Sequence, residues 1–225
     1  MSVHLIKSIE QIKKDILHLC ANVEENLHLA VKSLTDRDTQ LAEHVIKHDN
    51  VVDYIEVDIE EECLKILALH QPVAIDLRFI VAVLKINNDL ERIGDLAVNI
   101  AEQAHFLSEQ PKIDIPFDFP LMVEDVKTML KKSIDALINM DAAAALEVCR
   151  SDDEVDAINR QMYVQVQEGI NRDTSLTQRL LRYLSVSRYL ERIADHATNI
   201  AEDVIYMISG TIVRHKPDLM IEETK

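Results

Sequence analysis

At 225 residues the chain is long enough for one large domain or two small ones, each with a real core. Three Gly, five Pro, no Trp and 4% aromatic residues, against abundant Ala, Leu, Ile, Glu and Lys, describe long helices and leave essentially no room for a sheet. A formal net charge of −16 argues against a nucleic-acid backbone or an anionic membrane surface as partner, because either would be repelled, and favours cations and basic surfaces.

The first stretch, "MSVHLIKSIEQIKKDILHL", threads Lys, Glu and Asp through an apolar stripe, which is not the pattern of a signal peptide. No apolar run approaches the ~18 residues that span a bilayer, so direct membrane insertion is not expected and the cytoplasm is. Cys20, Cys63 and Cys149 are odd in number, far apart and set in apolar helical stretches. They read as small buried residues in a reducing compartment, without a disulfide or zinc role.

Leu5, Ile9, Ile12, Ile16, Leu19, Val23, Leu27, Ala30 and Leu34 recur at spacings of three and four and form one stripe of a first helix. "TDRD", Thr35 to Asp38, offers capping side chains for a second helix that runs to Leu69 and stops at Pro72. A third helix starts near Val73 and continues to about Ser108. "EQPKIDIPFDFP", Glu109 to Pro120, holds three prolines, which no helix crosses. The pattern then starts again, with helices over about 121–139, 141–169 and from "NRDTS" to Gly210, before the tail "KPDLMIEETK".

The restart is a repeat. "ERIGDLAVNIAE" from Glu91 returns as "ERIADHATNIAE" from Glu191, at a shift of 100. At a shift of 103, Asp38, Val45, Asp49, Val52 and Asp53 meet Asp141, Val148, Asp152, Val155 and Asp156. The three-residue difference is expected in the loop between the second and third helix of each half. The fold is therefore all-α, two three-helix bundles in tandem: residues 1–110, a linker over 111–120, residues 121–215, and a tail over 216–225.

On a wheel of ~100° per residue with Glu91 at zero, Asp95, Asn99 and Glu102 fall within about 80° of it, opposite Ile93, Leu96, Ala97 and Ile100. Glu191, Asp195, Asn199 and Glu202 repeat the placement. Acids at i and i+4 repel by ~0.2–0.5 kcal/mol per pair on an exposed helix. The second helix of each half adds a matching pair, Asp49 with Asp53 and Asp152 with Asp156. Were the two helices antiparallel with these turns adjacent, each half would gather four carboxylates. Such a set with Asn oxygens suits Mg²⁺, Mn²⁺ or Fe, with no thiolate nearby to favour zinc. Arg92 and Arg192 would neutralise the carboxylates or hold them in place.

A lone Glu-x-x-x-Asp is what the solvated face of any amphipathic helix carries. Here exposed positions differ between the halves, as Lys85 against Ser185 and Asn88 against Arg188 show, while the acids are kept. His44 and His48 have metal-chelating spacing, but their counterparts are Glu147 and Ser151, so they read as an exposed polar pair. His196 reads as a hydrogen-bonded core histidine, and Asp76 as an acid at a positive helix end. No phosphate-binding glycine loop, Ser/His/Asp arrangement or HExxH occurs.

"QPVAIDLRFIVAVLKINNDLERIGDLAVNIAE" (Gln71 to Glu102) and "RYLSVSRYLERIADHATNIAEDVIY" (Arg182 to Tyr206) resemble the two signature segments of the PhoU family, phosphate-transport accessory and regulatory proteins of bacteria and archaea. The likeness covers nearly the whole chain, through "GTIVRH" at Gly210. It implies two three-helix bundles related by a pseudo-twofold axis, usually in a homodimer. It implies an E(D)xxxD metal motif twice per bundle, binding multinuclear iron or other metal ions, divalent or trivalent, with Mn, Mg or Zn as alternatives to Fe. The matching positions are Asp49, Asp53, Glu91 and Asp95, then Asp152, Asp156, Glu191 and Asp195. It implies action by contact with a phosphate ABC transporter's ATPase subunit and with a sensor histidine kinase. The second half has "LTQRLLR" where the first has "AIDLRFI", so any role of Asp76 and Arg78 belongs to one bundle.

Two other functions compete with a noncatalytic metal-binding regulator. A ferritin-like dimetal enzyme needs Glu-x-x-His pairs aimed into a core; Glu25-x-x-His28 and Glu102-x-x-His105 occur, but only in the first half and with Glu25, His28 and Glu102 on polar faces. An inert helical adaptor would carry the acids for solubility alone.

Overall fold

The computed structural model describes residues 3–113 and 119–213. Six long helices carry these residues: α1 Val3–Asp36, α2 Thr39–His70, α3 Ile75–Ser108, α4 Phe119–Asn139, α5 Ala142–Arg172 and α6 Thr177–Ser209. A short 3₁₀ turn, Thr174–Leu176, precedes α6, and there is no strand among the described residues. Helices α1, α2 and α3 pack on one another as one bundle and α4, α5 and α6 as a second; α3 and α6 form the main seam between them. No described helix is long and apolar enough to cross a membrane.

The caps follow the repeat. Asp38 accepts from the backbone N–H groups of Gln40 and Leu41, and Asp141 from those of Ala143 and Ala144. The residue before each cap, Arg37 or Met140, takes a left-handed conformation (φ 58° and 53°) that turns the chain back after the preceding helix. Gly210 (φ 77°) ends α6 in the same way. Pro120 lies in the first turn of α4, where a missing N–H costs nothing, so the helix begins inside the stretch expected to be linker. Residues 114–118, the last two of the expected second bundle (214–215) and the tail from Lys216 lie outside the described residues.

Three expectations are corrected. The α2–α3 and α5–α6 connections both span four residues, 71–74 and 173–176. The three-residue difference is instead taken from the helix ends: α5 ends one residue earlier than α2 relative to the paired Asp152 and Asp49, and α6 starts two residues later than α3 relative to Glu191 and Glu91. A hairpin of packed helices can lose part of a turn at its tip without disturbing the register below it. Cys20 and Cys63 are buried but Cys149 is only half-buried, because it faces the seam where Glu202 lies. Finally, Lys85 is no idle surface position, since its ammonium lies 2.9 Å from the buried Asp203 carboxylate across the α3–α6 seam.

The linker does structural work at its described end. Arg37 donates to the carbonyls of Leu107, Ser108 and Gln110, closing the C-terminus of α3. Arg179 donates to the Pro111 carbonyl, and Ile113 packs on the small core of Val166, Leu180 and Leu184. Helix α4 has 21 residues where α1 has 34, so the far end of the α5–α6 hairpin is covered by this segment.

Candidate functional site

Asp49, Asp53 and Glu56 lie one turn apart along one side of α2, and Asp95, Glu91 and Asn87 along the facing side of α3. Because the helices are antiparallel, the two series meet rung by rung. Asp49 feels the Asp95 charge, Glu91 feels Asp53 and Glu56, and the Asn87 amide donates to both the Glu56 carbonyl (2.9 Å) and Glu56 Oε1 (3.3 Å). Gly94 makes the close crossing possible: a Cβ there would stand 3.2 Å from Val52 Cγ1.

The second bundle repeats the ladder on α5 and α6. Asp152 feels Asp195, and Glu191 feels Asp156 and Asp152. The third rung is Ser187 donating to Asn159 at 2.7 Å. The wheel suggested acids standing wholly outside the bundle. They stand in the seam between two helices, so Asp49, Glu91, Asp95, Asp152, Asp156 and Glu191 are half-buried and only Asp53 and Asp195 are exposed.

That position has an electrostatic cost. Burial, then Asp53 and Asp95, push the Asp49 carboxyl up to about 6, and burial, then Asp195 and Asp156, do the same to Asp152. Glu56, Glu91, Glu191 and Asp195 are also raised, desolvation first and neighbouring acids next. Asp49 Oδ1 and Glu91 Oε2 are buried without a hydrogen-bond donor. Arg92 partly offsets this, with Nε 3.4 Å from Glu91 Oε2 itself, an ion pair short of hydrogen-bond geometry, and a terminal nitrogen 3.3 Å from Asp95. In the second bundle Thr198 donates to Asp152 at 3.5 Å, Arg160 reaches Asp156 at 3.2 Å, and Arg188 and Arg192 lower Glu191.

Among the described residues no three of His, Cys, Asp and Glu stand gathered as a coordination shell. The donor set itself is suited to a hard or intermediate cation: all oxygen, partly dry, with the buried Asp49 Oδ1 orphaned. Cys149 beside the second set is held as a thiol, its pKa pushed up to about 12 by burial, Glu202 and Asp152.

The other sequence candidates separate. Asn199 turns to the other bundle and donates to Asp89 at 3.3 Å, next to a 2.7 Å hydrogen bond between His196 and Asp89. Asn99 is half-buried and Glu102 exposed, and Glu202 lies near Cys149. His44 and His48 stack in the open with ring centroids 3.9 Å apart. Glu25, His28 and Glu102 are exposed, so the Glu-x-x-His pairs do not enter the core. Cavities of 540 and 300 Å³ are lined by residues such as Lys32, Lys127 and Tyr183, or Ile16, Phe79 and Met207, and neither includes a seam carboxylate.

The PhoU domain model matches the chain twice, over residues 16–104 and 119–204. This chain belongs to the PhoU family. A relative named phosphate-specific transport system accessory protein PhoU homolog, from Aquifex aeolicus, is 39% identical over 212 residues, 94% of this chain and 96% of that one. A protein of the same name from Clostridium acetobutylicum is 35% identical, covering 90% and 93%. The crystal structure of PhoU from Pseudomonas aeruginosa superposes with a TM-score of 0.89 at 35% identity, covering 91% of this chain and 99% of the other. The PhoU repeat and the ladder described above coincide: both copies of the domain contain one complete pair of facing acidic helices.

Sequence reasoning missed Glu56 and Asn87. Glu56 lies at i+3 from Asp53 and Asn87 at i−4 from Glu91, so both were in reach of the same wheel. The repeat hid them, because their counterparts are Asn159 and Ser187.

Proposed function

We propose that this chain is a noncatalytic regulator of phosphate uptake and of phosphate-starvation signalling. It acts in the cytoplasm, as a homodimer, by docking on the ATPase subunit of a phosphate transporter and on a sensor histidine kinase. Its relatives' names supply the phosphate system; the paired acidic seams supply the means. Asp49, Asp53, Glu91 and Asp95, and Asp152, Asp156, Glu191 and Asp195, would hold divalent or trivalent cations, iron foremost. Such an ion supplies positive charge that these residues lack among themselves. Arg92 and Arg192 keep the flanking carboxylates in place.

The observation that carries the reading is the buried Asp49 Oδ1, which has no hydrogen-bond donor, within a cluster of acids raised by burial first and by one another next. A purely solvated face would not leave such an oxygen. Metal analysis of the purified protein tests it against a variant with Glu91, Asp95, Glu191 and Asp195 neutralised. The wild type is expected to retain metal and the variant to lose it, and to lose the transporter and kinase from a pulldown in phosphate-replete cells. Equal metal in both would leave the inert adaptor. Oxygen consumption on iron loading would revive the ferritin-like enzyme, which the exposure of Glu25, His28 and Glu102 opposes.

A further inference from the structure

The repeat relates the two cavities to each other. At the shift of 103, Leu34, Thr35 and Arg37 of the larger meet Leu137, Ile138 and Met140 of the smaller, and Pro120 meets Leu17. The segment that follows α3 completes the wall of the larger cavity with Lys112, Ile113 and Phe119. At the shift of 100 these correspond to Ile212, Val213 and Leu219, in the segment that follows α6. The smaller cavity is lined by Met207 at the end of α6 and by no described residue beyond it. Its floor of Ile16, Leu137 and Met207 is buried, whereas Ile75, Ile138 and Met140 on its rim are exposed. An arginine stands beside it without a partner. Arg78 Nε is buried with no acceptor among the described residues, and a Cβ added to Gly210, where α6 ends, would lie 3.6 Å from Arg78 Cζ.

We infer that the segment following α6 docks back into this cavity: Leu219, Met220 and Ile221 cover its apolar rim, and the Asp218 carboxylate accepts from the Arg78 guanidinium. Those three residues are an apolar run inside an otherwise polar stretch, "RHKPDLMIEETK". Leu219 holds the place that Phe119 holds after α3, so each repeat closes its own hollow with the chain that leaves its third helix. The reach suffices. Val213 is buried in the same core as Met207, and the six residues on to Leu219 span up to ~20 Å when extended. Asp218 precedes the apolar run, on the side nearer Gly210 and therefore nearer Arg78. Lys13 and Asp76, the charged residues of the lining, offset each other, which leaves Arg78 to set the sign of the occupant. At 300 Å³ the cavity has room for a few aliphatic side chains.

The sequence has no Trp, so Leu219→Trp places a single fluorescent reporter in the full-length protein. Docked, its emission is expected to the blue of a solvated indole, with quenching by acrylamide slowed severalfold. Ile75→Ser with Ile138→Ser, both at exposed positions outside the core, should return both readings to those of a solvated indole while the circular dichroism holds. Arg78→Gln should move them part of the way, and Asp218→Asn should match it, with no further change when the two are combined. Without the reporter, replacing Leu219, Met220 and Ile221 by Ser should raise the binding of anilinonaphthalene sulfonate to the uncovered cavity. A solvated indole in the reporter protein overturns the inference, as does a protected one that the rim substitutions do not release. Protection that disappears on dilution also overturns it, because the segment would then sit on a second copy. Effects of Arg78→Gln and Asp218→Asn that add in the combined variant overturn the pairing of those two residues.

Discussion

The first bundle leaves its acidic seam short of donors, whereas the second surrounds the same seam with arginines and a threonine. Asp49 Oδ1 has no partner; Asp152, its counterpart, accepts from Thr198, for which the first bundle has Val98. The helices beneath keep corresponding pairings, Asp49 against Asp95 and Asp152 against Asp195, with Asp38 and Asp141 capping alike. A duplicated scaffold thus holds its packing, where one misplaced methyl is felt, and lets its half-exposed charges diverge. The seam between the bundles shows the same divergence: Lys85 meets the Asp203 carboxylate, while across the pseudo-axis Arg182 meets Gln103 and lies over the Phe106 ring.

That last contrast predicts the largest effect. Asp203 is 4% exposed, so Lys85→Ala removes the ammonium from a buried carboxylate and should cost about 2–3 kcal/mol, less than a fully buried pair because Lys85 is 42% exposed. Arg182→Ala, facing a neutral amide, should cost about 1 kcal/mol. Urea denaturation measures both; equal losses would break the comparison.

Arg37 and Met140 sit at equivalent turns with equivalent φ, but only Arg37 ties down a helix end. Arg37→Ala should cost about 2 kcal/mol as the α3 carbonyls lose a charged donor. Met140→Ala, at an exposed position, should stay within ~0.5 kcal/mol. Thermal melts of the two variants decide whether the first bundle depends on its linker more than the second.

The smallest effect concerns pH. Asp49 and Asp152 have ordinary values of 3.8 raised to about 6 in the folded chain. The folded state therefore holds its proton more tightly than the unfolded one. Without metal, the contribution of these two carboxyls to stability is highest below about pH 4 and falls as pH rises through 6. At pH 7 Asp49→Asn and Asp152→Asn should each stabilise the metal-free protein by ~1–2 kcal/mol after solvent screening, and by nothing near pH 4. Melting curves in chelator from pH 4 to 8 check this. Equal gains would confine the asymmetry of the bundles to the Glu56 rung.

Much of the site was legible in advance because a helix converts spacing into direction. Glu91 and Asp95, or Asp49 and Asp53, share a face whatever surrounds them. What that wheel lacked was the neighbour. Asn199 lies on the same flank as Glu191, yet α3 of the other bundle presents Asp89 to it. Lys85 and Arg188 looked like drift in a list of exposed positions; one is an inter-bundle ion pair and the other faces Glu191.

The sequence by itself determined six helices, their caps, the duplication and the stripe of acids, all consequences of periodicity and of side chains acting on their own backbone. Only the tertiary structure decided that most of the acids are half-buried, that Glu56 and Asn87 join them, and which arginines reach each seam. Those depend on how far apart two helices lie and what the facing one carries, and electrostatic energy is a function of distance and burial that no single helix contains.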